Sequence, residues 1–217
     1  MRSAPAPPPR LFLLSPASSH GERARLVFNP EAQFPLAQAL RTAEGAPLGE
    51  VFTFLSGLYF RGKLGYARAF ARPPAGVPGV VVITTSEGLV SPESPVTLDR
   101  LRRWAAVPID AGEARYRRPL LRDAELIDAA AGPACEVVLL GSIASGKYAD
   151  VLLKVFGARL LFPSAFVGRG DMSRGGLMLR CTDTRRELDY VPVATSVRHG
   201  ARPPRLQPRR RARPAAE

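Results

Sequence analysis

Four stretches of the chain are apolar without alternation: Leu11–Leu14, Gly79–Thr84 (GVVVIT), Glu136–Leu140 (EVVLL) and Arg159–Phe162 (RLLF). Each is short, and each gives way to small or polar residues. Continuous runs of this length, rich in β-branched side chains, predict strands covered on both faces, as in a parallel sheet. Leu26–Phe28 predicts a further short strand. Leu188–Val193 predicts a last one, near a sheet edge because Pro192 removes a ladder donor. Leu177–Cys181 is apolar enough to be buried, as a strand or a short helix.

Between these runs the period changes. Phe34–Ala43 predicts a short helix. From Leu48 to Arg72, Val51, Phe54, Leu55, Leu58, Tyr59, Tyr66 and Phe70 recur at helical spacing. Gly57, Gly62 and Gly65 interrupt that helix, at about 1 kcal/mol each relative to Ala. They imply either close packing against a neighbour or a break around Gly57–Gly65. Thr97-Leu98-Asp99 reads as a helix start, running to about Ala106. Ala114–Ala131 ends at Gly132-Pro133, and Lys147–Phe156 ends at Gly157.

Strands alternating with helices predict an α/β fold, with three layers and a mostly parallel sheet of about five strands between helices on both faces. In such sheets ligands bind beyond the carboxyl ends of the strands, at the point where strand order reverses. The polar, Gly-rich segments Ser15–Gly21, Thr84–Gly88, Gly141–Lys147 and Pro163–Gly176 all leave strands at that end, so together they predict one site.

The composition refines this picture. With 217 residues, 46% of them hydrophobic, the chain is long enough for one sizeable core. Its net charge of +12 is unevenly placed. Residues 1–10 contribute +2 with four prolines, and the segment after Ala201 contributes +5 with six arginines. Both ends lack apolar periodicity, which predicts a disordered Pro-rich start (1–10), one α/β domain (11–200) and a disordered basic tail (201–217). The tail suits polyanions, yet it offers no aromatic ring for a base to stack on. No apolar run approaches the roughly 18–20 residues of a membrane span, and Leu11–Leu14 is too short for a signal-peptide core, so a cytoplasmic protein with no membrane partner is expected. Cys135 and Cys181 form no C-x-x-C pair and have no nearby histidine, which predicts free thiols and no metal site.

Candidate chemistry centres on Gly141-Ser142-Ile143-Ala144-Ser145-Gly146-Lys147, which follows a strand and opens a helix. It matches the G-x4-G-K part of a phosphate-binding loop, in which amides and Lys cradle an anion. Tyr148 stands where Ser or Thr would hold Mg²⁺. The candidate phosphate ligands are therefore Gly141, Ser142, Ser145, Gly146 and Lys147, joined by Arg169 and Arg174 of the Gly168–Gly176 loop, whose guanidinium forks suit phosphate or carboxylate. Candidate acid–base groups are His20, Glu87 and Asp171, each on one of the four loops. Arg61, Arg68 and Arg72, at i, i+7 and i+11, form a basic stripe suited to nucleic acid. A second G-x4-G-K ends at Lys63. Only three of the 31 basic residues are lysines (Lys63, Lys147 and Lys154), and two of them directly follow a glycine. A chain that uses Arg nearly everywhere keeps Lys where a compact, titratable head is needed.

Through FLSGLYFRGKLGYARAF (54–70), LLGSIASGKYADVLL (139–153) and FVGRGDMSRGGLMLR (166–180), the chain resembles uncharacterised conserved bacterial proteins with a Rossmann-like layout. It is also similar to uracil-DNA-glycosylase-like domains attached to tRNA-modifying enzymes. The resemblance spans roughly residues 11–195 and lies in strand–loop order. The glycosylases' water-activating and His-containing loop motifs are absent, so no catalytic residue carries over. What it implies is nucleotide, nucleobase or nucleic-acid chemistry. The leading expectation is thus a protein that binds a phosphorylated nucleotide-like ligand, or nucleic acid, at the strand ends and acts on a nucleotide or nucleobase if it is an enzyme. The alternatives are a non-enzymatic nucleic-acid-binding protein using the tail and the Arg stripe, and a degenerate P-loop-like phosphotransferase. The residues specify no cofactor and no oligomeric state.

Overall fold

A computed structural model describes residues 7–204, 206 and 207. The elements run β1 (Arg10–Leu14), α1 (Glu22–Phe28), α2 (Pro35–Ala39), β2 (Ala46–Pro47), α3 (Leu48–Ser56), α4 (Leu58–Phe70), β3 (Val80–Ile83), β4 (Leu89–Val90), β5 (Pro95–Val96), α5 (Leu98–Ala105), α6 (Ala114–Ala131), β6 (Glu136–Leu140), α7 (Ala149–Phe156), β7 (Leu160–Pro163), α8 (Asp171–Thr184) and β8 (Tyr190–Pro192).

The fold is three-layer α/β, with helices flanking a mostly parallel sheet. The sheet has six strands in the order β4-β3-β1-β6-β7-β8, rather than about five. The parallel centre is β3-β1-β6-β7, and the short strands β4 and β8 close the edges antiparallel. β1 is buried along its whole length, and so is β6 from Val137 to Leu140. That is why both sequences are apolar without alternation: each strand has a helical layer on either side. From β1 the chain steps to β3 on one side, then returns to lay β6 on the other. The strand order therefore reverses between β1 and β6.

Several boundaries differ from the sequence expectation, each for a physical reason. Leu26–Phe28 is not a strand but the last turn of α1. That helix buries Ala24 and Val27 at i, i+3 and leaves Leu26 53% exposed. The Phe34–Ala43 helix shortens to the five residues of α2, with Pro35 at its first position. The long Leu48–Arg72 pattern is two helices. Gly57 takes φ +59° and ψ −128°, ending α3 and starting α4, a conformation that favours glycine. Gly62, by contrast, stays helical and serves packing: a Cβ there would lie 2.7 Å from the Gly175 carbonyl oxygen of α8, and a Cβ on Gly175 would lie 2.6 Å from the Leu58 oxygen. The Gly-rich segment 168–176 is a loop only as far as Gly170. From Asp171 it is helix α8, which also takes in Leu177–Cys181. α7 begins at Ala149, after the Gly141–Lys147 loop, and β8 is the edge strand that Pro192 indicates. Cys135 is buried and Cys181 half-buried; both are free thiols.

Candidate functional site

Beyond the carboxyl ends of β1, β3 and β6 lies a cleft of about 580 Å³. It sits where the strand order reverses, the position at which open α/β sheets bind ligands. Three loops and the start of α8 contribute to its lining: Ser15 to His20 after β1, Thr85 after β3, Ser142, Ser145 and Lys147 after β6, and Asp171, the first residue of α8, after β7. Pro16 and Ala17, with Val107, Pro108 and Ile109 behind α5, add apolar surface. Hydroxyl groups dominate the rest, with Ser56 and Tyr59 coming from the α3–α4 junction.

The loop after β6 is held from below. The Tyr116 hydroxyl of α6 donates to the Lys147 carbonyl at 3.0 Å. The Lys147 ammonium lies 5.5 Å above the ring of the buried Tyr148, and among the described residues no carboxylate pairs with it. In a chain whose cations are mostly arginines held by carboxylates or carbonyls, it is a free positive charge at the mouth of the cleft. Gly146 takes φ +68°, and the Asp150 carboxylate lies against it in the first turn of α7, paired with Arg198 at 2.6 Å. An acidic side chain thus already meets the positive end of that helix. With the buried Tyr148 in place of Ser or Thr, this loop lacks two features of an Mg²⁺-nucleotide loop. His20 is exposed at the rim, its Nδ1 3.5 Å from the Ser19 hydroxyl, and its backbone N–H donates to the Ser18 hydroxyl at 3.3 Å.

Below the floor lies a group that sequence reasoning noticed but did not assign. Lys63 of α4 is fully buried, with 0% exposure. Its Nζ donates to the Ser15 carbonyl at 2.6 Å and to the Ser15 hydroxyl at 3.0 Å, and lies 4.4 Å from the Tyr59 ring and 4.9 Å from the Phe60 ring. Burial without a paired carboxylate pulls its pKa down to about 7. The Asp171 charge opposes that shift and the Arg174 charge adds to it. Tyr59 is buried too, its hydroxyl pushed up to about 12 chiefly by desolvation, and that hydroxyl has no hydrogen bond of good geometry among the described residues. Ser15, Tyr59 and Lys63 were missed as site residues. The sequence signals were the place of Ser15 at the head of the loop after β1 and, for Lys63, a lysine after a glycine in an arginine-favouring chain.

The remaining candidates are placed elsewhere. Glu87 does not line the cleft. Thr84 to Gly88 is a tight turn between β3 and β4, and Glu87 pairs with Arg100 of α5 at 2.5 Å. Arg174 is buried with its guanidinium over the Phe166 ring, donating to the Phe166 carbonyl at 3.0 and 3.2 Å, with Asp171 3.8 Å away. Arg169 donates to the Ala165 carbonyl at 2.9 Å and to Ser173, and borders a separate hollow with Arg202. These two guanidiniums stabilise the entry to α8, where the chain has carbonyls to satisfy, and neither lines the cleft. Arg61 and Arg68 share a hollow with Glu50 and Glu93, and Arg68 pairs with Glu93 at 2.5 Å. Arg72 pairs with Glu187. Arg72 lies beyond the end of α4, so the three arginines form no single helical stripe, and they lie among carboxylates. Of the basic tail, residues 208–217 and Arg205 lie outside the described residues.

Among the described residues, no group of three or more His, Cys, Asp or Glu side chains is placed to hold a metal ion, and no helix is long and apolar enough to cross a membrane. No protein-family model, no curated protein and no solved structure matches this chain.

Proposed function

We propose that the cleft at the β1–β6 reversal binds a small phosphate-bearing ligand of the nucleotide class. The observation that carries this reading is the convergence of three separate loops and the start of α8 on one cleft, with the Lys147 ammonium, unpaired among the described residues, at its mouth. The lining divides by chemistry. Pro16, Ala17 and Val107–Ile109 supply an apolar surface suited to a flat base. The serines after β1 and β6 supply hydroxyls suited to a sugar and phosphate, whereas the Thr85 hydroxyl is spent on the Trp104 carbonyl. Tyr59 adds a buried hydroxyl beside the Arg174 guanidinium, which can only donate, so among the described residues the hydroxyl's own hydrogen has no acceptor and a ligand can supply one. His20 and Asp171, acid–base groups by type, line the same cleft.

Titration calorimetry with AMP, GMP, CMP and UMP, each against its nucleoside, tests the proposal. At least one monophosphate is expected to bind better than its nucleoside. Lys147→Ala is expected to weaken it about tenfold, the worth of one charge-assisted hydrogen bond, whereas Arg169→Ala leaves it unchanged. Equal affinity of the wild type and Lys147→Ala for every monophosphate would overturn the assignment.

A further inference from the structure

The Ser15–Lys63 pair has the composition of a reactive centre rather than of a structural ion pair. Ser15 is the first residue after β1, at the floor of the cleft, and only 5% of it is exposed. Lys63 reaches it from α4 and, among the described residues, its partners are the two oxygens of Ser15 and the faces of two rings. The charged groups nearest to it are Asp171 and Arg174, both on α8 and of opposite sign, and neither pairs with it. Tyr59, on its own helix, stays protonated well above neutrality.

We propose that Ser15 is a nucleophile and Lys63 its general base, and that together they hydrolyse an ester or amide of the ligand held in the cleft. The phosphate end of that substrate rests on the reading given above; the nucleophile pair does not. A neutral lysine has two N–H bonds and one lone pair. With one N–H on the Ser15 carbonyl, the lone pair is free to accept the Ser15 hydroxyl proton across the 3.0 Å contact. An arginine at position 63 would never deprotonate, which accounts for a lysine there.

The step balances without a co-reactant other than water. The Ser15 oxygen bonds to the substrate carbonyl carbon as its proton passes to the Lys63 amine. The tetrahedral adduct collapses, the bond to the leaving oxygen or nitrogen breaks, and that atom takes the proton from Lys63. Water then attacks the acyl-serine, giving its proton to Lys63. The acid leaves as Ser15 regains a proton. Tyr59, whose ring lies against the amine, has a hydroxyl hydrogen with no acceptor among the described residues, available for the charge on the carbonyl oxygen. Gly141 leaves the hydroxyl room: a Cβ there would lie 2.8 Å from the Ser15 Cβ and 3.0 Å from its Oγ.

A fluorophosphonate probe, which esterifies activated serines, tests the pair on the full chain, read by intact mass and peptide mapping. The expected result is a single label on Ser15, formed at a rate that rises through one ionisation near neutrality. Ser15→Ala should take no label. Lys63→Met should label about 100-fold more slowly or worse, the usual worth of a positioned base, while keeping its circular-dichroism spectrum. The proposal is overturned if Ser15 stays unlabelled between pH 6 and 9, or if Lys63→Met labels at the wild-type rate. Should Lys63→Met fail to fold, the wild-type pH profile decides, and a flat rate from pH 6 to 9 overturns the pair. Labelling of Ser15 that no monophosphate slows would support the pair and overturn the phosphate reading.

Discussion

A lysine sealed inside an α/β protein without a paired carboxylate is an energetic cost that changes with pH. In the unfolded chain its pKa is about 10.4, whereas burial brings Lys63 to about 7 in the fold. Between those values the unfolded chain holds the extra proton, so the native state gains stability as pH rises, and the full penalty is present below pH 7. The charged groups that face it are Asp171 and Arg174. The wild type should therefore gain roughly 2 kcal/mol relative to Lys63→Met between pH 7 and 9, for about one proton per molecule. Paired urea melts at both pH values check this, and taking the difference cancels the thiols, whose ionisation is shared. A constant gap would mean that Lys63 keeps its ordinary pKa. Other charged residues show what side-chain identity leaves open. Glu87 and Arg174 are plausible site residues by type, but Glu87 answers Arg100 and Arg174 answers the Phe166 carbonyl. A local string of residues does not contain the partner that neutralises a charge.

At the scale of elements, apolar runs were a good guide where strands are sandwiched and a poor one where they are not. β1, β3 and β6 are legible because both faces are covered. β4, two residues long at an edge, leaves no run to see, and Leu26–Phe28 misleads because three apolar residues fit a helical turn equally well. The glycines of α4 illustrate the same divide. Gly57 acts through its own backbone angle, while Gly62 acts through a contact with Gly175 more than a hundred residues later. Because α4 also carries Tyr59 and Lys63, this helix contact sets the depth of the cleft floor. Gly175→Ala should force the two backbones apart and destabilise the protein by about 1–3 kcal/mol, as overpacking does. At roughly 2–4 °C per kcal/mol for a chain of this size, the shift is visible in a thermal melt. An unchanged melting temperature would show that α8 yields without cost.

For the molecule as a whole, the strand order gathers three loops and the start of α8, drawn from positions 15 to 171 of the chain, around one cleft. Charge is distributed differently. Of the net +12, residues 1–10 and 202–217 carry +7 and the rest of the chain +5; Arg61 and Arg68 of α4 lie among carboxylates, and the densest excess is the tail's +5. Any affinity for duplex DNA should then reside in the tail and not in the cleft. Deleting residues 208–217 removes four arginines, which should flatten the log–log salt dependence of DNA binding by up to about 3–4. Monophosphate affinity should not change. Fluorescence anisotropy over a salt series reads the first and calorimetry the second. A slope that survives the deletion would place the DNA contacts on the folded part.

The sequence by itself determined the fold class, the central strands and the loops that leave their carboxyl ends, because hydrophobic period and turn chemistry act over a few neighbouring residues. It also marked Lys63, by making it one of three lysines among 31 basic residues. Tertiary structure alone decided that Lys63 lies beneath Ser15, that Arg169 and Arg174 are spent on carbonyls, and that Gly62 meets Gly175. Burial and charge pairing depend on residues far apart in the chain, and only packing brings those together.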